Sequence, residues 1–243
     1  MKNQHQIYGM HPIMEAVKSG KTIDKIFVQK GLKGQLSFEL ISLLQENGIN
    51  YKTVPIEKLN KLTRENHQGV VAFISPVKLV SLEELLEKNT ETTQQTYILL
   101  DGVTDPRNFG AIIRTAAAVN ANGIIIPENN SAPINEDAVK TSAGGIFKVP
   151  IARVKHLKDA IFLLQSYDIN IVSATEKTND SIYDVNLKEN FALVMGSEGR
   201  GIQNSILNLS TYKVKLPMSE HISSLNVSVA CAVFLYEAVR QRL

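Results

Sequence analysis

Three stretches of this 243-residue chain carry polar residues at spacings that suit chemistry. The first runs from Asp105 to Ala116 and reads Asp-Pro-Arg-Asn-Phe-Gly-Ala-Ile-Ile-Arg-Thr-Ala, with Asn108 and Arg114. The second, Leu193 to Gly201, reads Leu-Val-Met-Gly-Ser-Glu-Gly-Arg-Gly and sets Gly196, Gly199 and Gly201 around Glu198. The third, Leu216 to Glu237, opens Leu-Pro-Met-Ser-Glu-His-Ile-Ser-Ser-Leu-Asn and holds Met218, Leu225 and the polar trio Ser223, Ser224 and Asn226. Each begins where an apolar run ends, after Leu100, Met195 and Leu216. Ligands of open parallel sheets bind beyond the carboxyl ends of strands. Three such loops imply one composite site, gripping a ligand through backbone and short polar groups. The glycines permit close backbone approach that side chains would block. Their spacing is not Gly-x-Gly-x-x-Gly, which argues against a nicotinamide dinucleotide. Structural readings stand beside these. The glycines suit a turn, Asn108 and Ser224 suit helix N-caps, and Arg114 suits an exposed helix face.

The elements that must position these residues alternate between strand and helix. Helices are expected at Met10 to Gly20, Leu36 to Asn47 and Ile56 to Leu62, with strands at Lys25 to Gln29, Tyr51 to Val54 and Gly69 to Ile74. That pattern is a small α/β layer domain. Ser81-Leu82-Glu83-Glu84 reads as a capping box. Residues 89–96 are polar and suit an exposed connector. Beyond them, strands are expected at Tyr97 to Asp101, Gly123 to Ile126, Phe147 to Val154, Ile169 to Ala174, Phe191 to Met195 and Tyr212 to Leu216. Pro150 assigns the third of these to an edge or a strand end. Helices are expected after Asn108, around Asn135 to Ser142, over Leu157 to Tyr167, over Ile202 to Leu209 and at the end of the chain. In the last, Val227, Cys231, Phe234 and Ala238 recur at helical spacing and face inward. Such alternation implies a mostly parallel sheet covered on both faces.

Composition narrows the classes. The chain is 44% hydrophobic and 21% charged, ordinary for a globular protein. Its one cysteine, Cys231, excludes an internal disulfide and fits a reducing, cytosolic compartment. No apolar run is long enough to span a bilayer. The five histidines lack ligand spacing, so no metal site is expected. The net charge of +2 does not by itself argue for nucleic acid. Residues 1–76, however, hold ten Lys or Arg against six Asp or Glu. This basic surplus suits phosphate contact as well as an ordinary solvated surface.

Taken in order, the three stretches resemble the signature motifs of the SpoU (TrmH-like) branch of the SPOUT RNA methyltransferases. The resemblance covers Tyr97 to Arg242. The leading segment is similar to the auxiliary RNA-binding domain of the RlmB group, through Ile7-Tyr8-Gly9-Met10-His11-Pro12 and His67-Gln68-Gly69-Val70-Val71-Ala72. There His11 and His67 are candidates for stacking on or hydrogen bonding to bases. The chain divides accordingly into residues 1–76 (RNA-binding), 77–95 (linker) and 96–243 (methyltransferase).

The resemblance implies an α/β fold with a deep trefoil knot near its end, holding S-adenosylmethionine. The cofactor contacts it implies are Gly196, Leu216, Met218, Ser224 and Leu225. It implies transfer of the sulfonium methyl to a ribose 2′-hydroxyl of a guanosine in 23S ribosomal RNA. Arg114 matches the family's essential arginine, contacting RNA phosphate and assisting deprotonation. Asn108, Glu198 and Asn226 match the other polar site residues, with Glu198 orienting Arg114. Glu220 departs from the pattern, standing where the family usually has glycine. The family also implies a homodimer with the site near the subunit interface. Two alternatives stay open: the same reaction on transfer RNA or another ribosomal nucleotide, and an RNA-binding factor without catalysis.

Overall fold

The computed structural model describes residues 6–219, 221 and 224–243; Glu220 and Ser223 lie outside them. The chain divides into two compact units, Met1–Lys78 and Leu79–Leu243.

The first unit contains β1 (Gln6–Tyr8), α1 (Met10–Lys18), β2 (Ile23–Gln29), α2 (Gln35–Glu46), β3 (Lys52–Val54), α3 (Ile56–Leu62) and β4 (Val70–Ile74). The sheet order is β1-β4-β2-β3. β4 runs antiparallel to β1 and β2, and β2 runs parallel to β3. One core joins Ile13 and Val17 of α1 and Leu40 and Leu44 of α2 to Ile26, Val28, Val70 and Ala72 of the sheet. A smaller cluster of Val54, Leu59 and Val71 uses the residues alternate to these. Period-two alternation in β4 therefore supplies both clusters. His67 is not available to a base. It is buried, its Nδ1 accepts from the Gly69 amide at 3.0 Å, and its Nε2 lies 2.9 Å from Asn60 Oδ1. It braces the turn into β4, where Gln68 and Gly69 both have positive φ. His11 is exposed.

The second unit contains α4 (Leu82–Glu87), β5 (Thr96–Asp101), α5 (Pro106–Ala118), β6 (Gly123–Pro127), α6 (Glu136–Thr141), β7 (Ile151–Val154), α7 (Leu157–Ser166), β8 (Asn170–Ala174), β9 (Phe191–Gly196), α8 (Asn204–Leu207), β10 (Tyr212–Val214) and α9 (Val227–Arg242). Six strands form a sheet in the order β10-β8-β9-β5-β6-β7. Every pairing is parallel. β5 and β9 lie at its centre, and Tyr97 to Leu100 and Ala192 to Val194 are buried. Strands apolar on both faces are what a sheet covered by helices requires. Each fully buried Leu or Ile contributes about 1.5–3 kcal/mol. From β5 the chain steps outward through β6 to β7, then crosses to β8 on the other side. β9 is then inserted between β8 and β5. The sheet's direction of build reverses there, and ligands of open sheets sit at such a reversal.

Strand β1 was not expected, and three of the boundaries that differ from the sequence expectation lie in the second unit. The 147–154 run is a short 3-10 turn over Gly145–Phe147, and the strand begins only at Ile151, past Pro150. Proline has no amide for a strand ladder, and β7 is indeed the sheet edge. α8 spans only Asn204–Leu207, because the Gln203 amide is held by Asp101 instead of continuing a helix backwards. β10 stops at Val214, two residues before Leu216. The expected capping box is present: Ser81 Oγ accepts from the Glu84 amide at 3.1 Å, and Glu84 accepts from the Ser81 amide at 3.0 Å. No helix among the described residues is long and apolar enough to cross a membrane.

Candidate active site

Two helix caps set the geometry of the site, and neither is the residue read as a cap from sequence. Asp105, not Asn108, caps α5: its Oδ1 accepts from the amides of Arg107 at 2.9 Å and Asn108 at 2.8 Å. This releases the Asn108 side chain for other contacts. Asn226, not Ser224, caps α9, its Oδ1 accepting from the Ser228 amide at 2.9 Å and the Ser228 hydroxyl at 2.6 Å. Ser224 lies two residues upstream.

Asn108, Glu198 and Asn226 form a closed triangle. Asn108 Nδ2 donates to Glu198 Oε1 at 2.8 Å. Asn226 Nδ2 donates to the same oxygen at 3.0 Å and to Asn108 Oδ1 at 2.9 Å. Two amide donors on one carboxylate oxygen are charge-assisted bonds, stronger than neutral ones. The triangle ties together the loops after β5, β9 and β10.

Arg114 stands apart from this triangle. It is exposed and makes no hydrogen bond or ion pair among the described residues. Six residues along α5 from Asn108, it is displaced by about 9 Å of helix rise. The expected Glu198–Arg114 contact is therefore not made within one chain; Glu198 is held by the two asparagines. Gly145 packs against α5 here, and a Cβ on it would lie 3.3 Å from Arg114 Cα.

Beside the triangle lies a cavity of about 410 Å³. Gly196, Leu216, Met218, Ser224 and Leu225 all line it, together with Glu198. Its floor is the tight turn at Ser197–Gly201, whose ends exchange hydrogen bonds of 3.2 and 2.9 Å. A Cβ at Gly196 would run into the backbone of Gly201 and Ile202, so only glycine fits. Gly201 has φ +66°, a conformation glycine adopts without penalty. At the turn's exit, Asp101 is buried and accepts from the Gln203 amide at 2.8 Å and Gln203 Nε2 at 2.6 Å.

Sequence reading missed two contributors. From sequence Asp101 is only the last residue of a strand, and its partner lies 102 positions away. The segment Thr175–Lys177 after β8 also lines the cavity. Its one signal was its position past a strand's carboxyl end. Cys231 is buried in α9 and its thiol is pushed up to about 12 by desolvation, so it is an inert packing residue. No group of three metal-ligating side chains gathers among the described residues.

The family described as SpoU rRNA Methylase matches residues 95–236, the whole of this site included. The chain belongs to the SpoU methylase family. A second model, described as RNA 2′-O ribose methyltransferase substrate binding, matches residues 6–80. A putative TrmH family tRNA/rRNA methyltransferase of Staphylococcus haemolyticus is 34% identical over 237 residues, covering 97% of this chain and 95% of its own. One from Staphylococcus aureus is 36% identical over 97% of this chain and 96% of its own. Among solved structures, the SpoU methyltransferase AviRb of Streptomyces viridochromogenes in complex with AdoMet is 26% identical with a TM-score of 0.62, covering 98% of this chain and 89% of that one. An AdoMet-bound rRNA methyltransferase of Sinorhizobium meliloti shares the fold, with 24% identity and a TM-score of 0.64 over 98% of this chain and 88% of that one. The SpoU chain described here is thus an RNA methyltransferase that uses S-adenosylmethionine.

The residues present fit that cofactor. Met218 and Leu225 are large apolar side chains left 38% and 40% exposed at the cavity wall, surfaces suited to an adenine ring. Gly199 and Gly201 leave open space where a Cβ would project.

Proposed function

We propose that this SpoU protein methylates the ribose 2′-hydroxyl of a guanosine in 23S ribosomal RNA, as a member of the RlmB group. The observation that carries the reading is the Asn108–Glu198–Asn226 triangle beside the glycine-floored cavity. Cofactor contacts fall to Gly196, Leu216, Met218, Ser224 and Leu225. When bound there, S-adenosylmethionine supplies a methyl group already activated by its sulfonium.

The protein's own task is then positioning and charge. Asn108 and Asn226 fix the Glu198 carboxylate, and the three together shape the edge against which a ribose is held. Orientation of two reactants is worth several kcal/mol of barrier. Arg114, free and cationic, grips the RNA phosphate and stabilises negative charge on the 2′-oxygen as its proton leaves. A guanidinium cannot be an ordinary base, because it stays protonated.

The first unit binds the RNA, supported by its family match and its basic surplus. The active form is a homodimer. α9 buries Val227, Cys231, Phe234 and Ala238, yet leaves Val229 and Tyr236 50% and 53% exposed on its outer side. A helix apolar on both sides suits burial on both sides. Within the second unit we also propose a deep trefoil knot in the last part of the chain, supported by family membership and by the insertion of β9 between β8 and β5.

Mapping 2′-O-methylation in RNA from cells with and without this protein tests the proposal. Loss of one guanosine methylation in 23S RNA is expected. Loss at a transfer RNA site or another ribosomal nucleotide would redirect the substrate assignment. An unchanged map would favour an RNA-binding factor without catalysis.

A further inference from the structure

A second cavity, of about 890 Å³, lies across the Ser197–Gly201 turn from the cofactor cavity. It opens past the carboxyl ends of β5, β6 and β7, and neither Asn108, Arg114 nor Asn226 lines it. Lys155, Lys158 and Arg200 face it, as do Asn129 and Asn130. The three cationic side chains make no ion pair or hydrogen bond among the described residues. Two carboxylates share the cavity, Asp101 and Asp159. Asp101 is buried, and both its oxygens are engaged by the neutral amides of Gln203 at 2.8 and 2.6 Å. Three unpartnered cations therefore stand against the single exposed carboxylate of Asp159. The amino end of α7 also points to this space, and His156 at its N-cap makes no side-chain cap bond. Its positive dipole end adds to the field of the two lysines.

We infer that this second cavity holds a phosphodiester of the substrate RNA, on a nucleotide flanking the methylated one. The inference rests on the reading of the protein as an RNA methyltransferase and extends it to a second binding site. Ser197, Gly199, Arg200 and Gly201 line both cavities, so a single turn of chain separates them. An RNA strand that presents its ribose at the cofactor continues past that turn. Lys155 and Lys158 meet its phosphate as point charges, and Arg200 does so across the shared wall. Asn129 and Asn130 add amide donors and acceptors suited to the edge of an unstacked base. The cavity thereby supplies register: it selects which sugar along the strand stops at the methyl group.

The test uses the full-length protein and the Lys155→Ala/Lys158→Ala double variant. Both lysines are exposed, so the fold does not depend on them. Arg200 is left intact because it also lines the cofactor cavity. Binding of a fluorescein-labelled single-stranded RNA of mixed sequence is followed by anisotropy across a salt series. Each lost phosphate contact makes the slope of log affinity against log salt shallower by about 0.7. Both lysines meet the same phosphate, so the double variant is expected to lose about that much, with unchanged calorimetric affinity for S-adenosylmethionine. In methyl transfer to ribosomal RNA from cells lacking the protein, KM for RNA is expected to rise about tenfold with kcat within twofold. An unchanged salt slope overturns the inference. Calorimetric titration with inorganic phosphate separates the remaining source: phosphate binding lost in the variant, with an unchanged RNA slope, marks a small-anion site and also overturns it. If the wild type transfers no methyl to that RNA while the slope still falls, the RNA contact stands and the target assignment fails instead.

Discussion

Asn226 donates a 2.9 Å hydrogen bond from its Nδ2 to Oδ1 of Asn108, a residue 118 positions earlier in the chain. The same side chain caps α9 through its Oδ1. One residue thus starts the closing helix and joins two loops of the site, so its two duties must be separated by choice of substitution.

Asn226→Ser keeps a cap-competent oxygen and removes the donor to Asn108 and Glu198. The melting temperature is expected to stay within about 2 °C of wild type, because serine caps about as well as asparagine. Methyl transfer is expected to fall about tenfold or more, the loss of oriented polar groups. Asn226→Ala removes the cap too and costs about a further 1 kcal/mol. Thermal melts beside a methyl-transfer assay decide it: equal activity in Asn226→Ser would leave Asn226 a helix cap only.

Arg114→Ala tests the charge-stabilising role. Arg114 does not line the cofactor cavity, so calorimetric binding of S-adenosylmethionine is expected to be unchanged. The rate of transfer is expected to drop by about two orders of magnitude, typical for a lost stabiliser of developing negative charge. Turnover within twofold of wild type would remove the assignment.

The glycine turn offers a matched pair. At Gly196 a methyl group meets the backbone of Gly201 and Ile202, which cannot yield as a side-chain end can. Gly196→Ala is expected to destabilise the protein by about 1–3 kcal/mol and to abolish cofactor binding. At Gly199 a Cβ meets nothing within 4 Å, so Gly199→Ala is expected to melt as wild type. Thermal melts of both variants, with calorimetry, check the contrast. Normal cofactor affinity in Gly196→Ala would show that the turn does not depend on glycine there.

Alkaline stability follows from two buried groups. Burial pushes the Cys231 thiol up to about 12 from 9.0 and the Tyr97 hydroxyl up to about 12 from 10.0. In each case the folded state holds its proton more tightly than the unfolded state. Their stabilising contribution is present below the unfolded values and is lost as pH rises through them toward the folded ones. Denaturant melts are therefore expected to weaken progressively above about pH 9. Iodoacetamide at pH 8.5 is expected to leave Cys231 unmodified in the native protein and to modify it fully in guanidinium. Rapid native labelling, read by mass spectrometry, would contradict this burial.

Much of the fold was legible because local patterns decide it. The alternation of apolar runs with amphipathic segments located the strands and helices, and the capping box at Ser81 and the edge placement near Pro150 follow from side-chain chemistry alone. Boundaries went astray where a distant partner intervened. Asp101 holds Gln203 and shortens α8, which no window around Ile202 contains. His67, open to a base-contacting role in sequence, is consumed by Asn60 and the Gly69 amide once the turn folds.

For the site, the residue types that stand past each strand end are legible in the chain alone, because motif and strand are contiguous in it. Their convergence needed the parallel order β10-β8-β9-β5, which brings the carboxyl ends after Val214, Ala174, Gly196 and Asp101 to one side of the sheet. Who bonds to whom is settled by the folded arrangement: Asp105 takes the cap of α5, Asn108 is released to Glu198, and Arg114 stays exposed on the helix surface. Such choices are competitions among hydrogen-bond partners far apart in sequence, and they are settled by distance and angle in the folded chain.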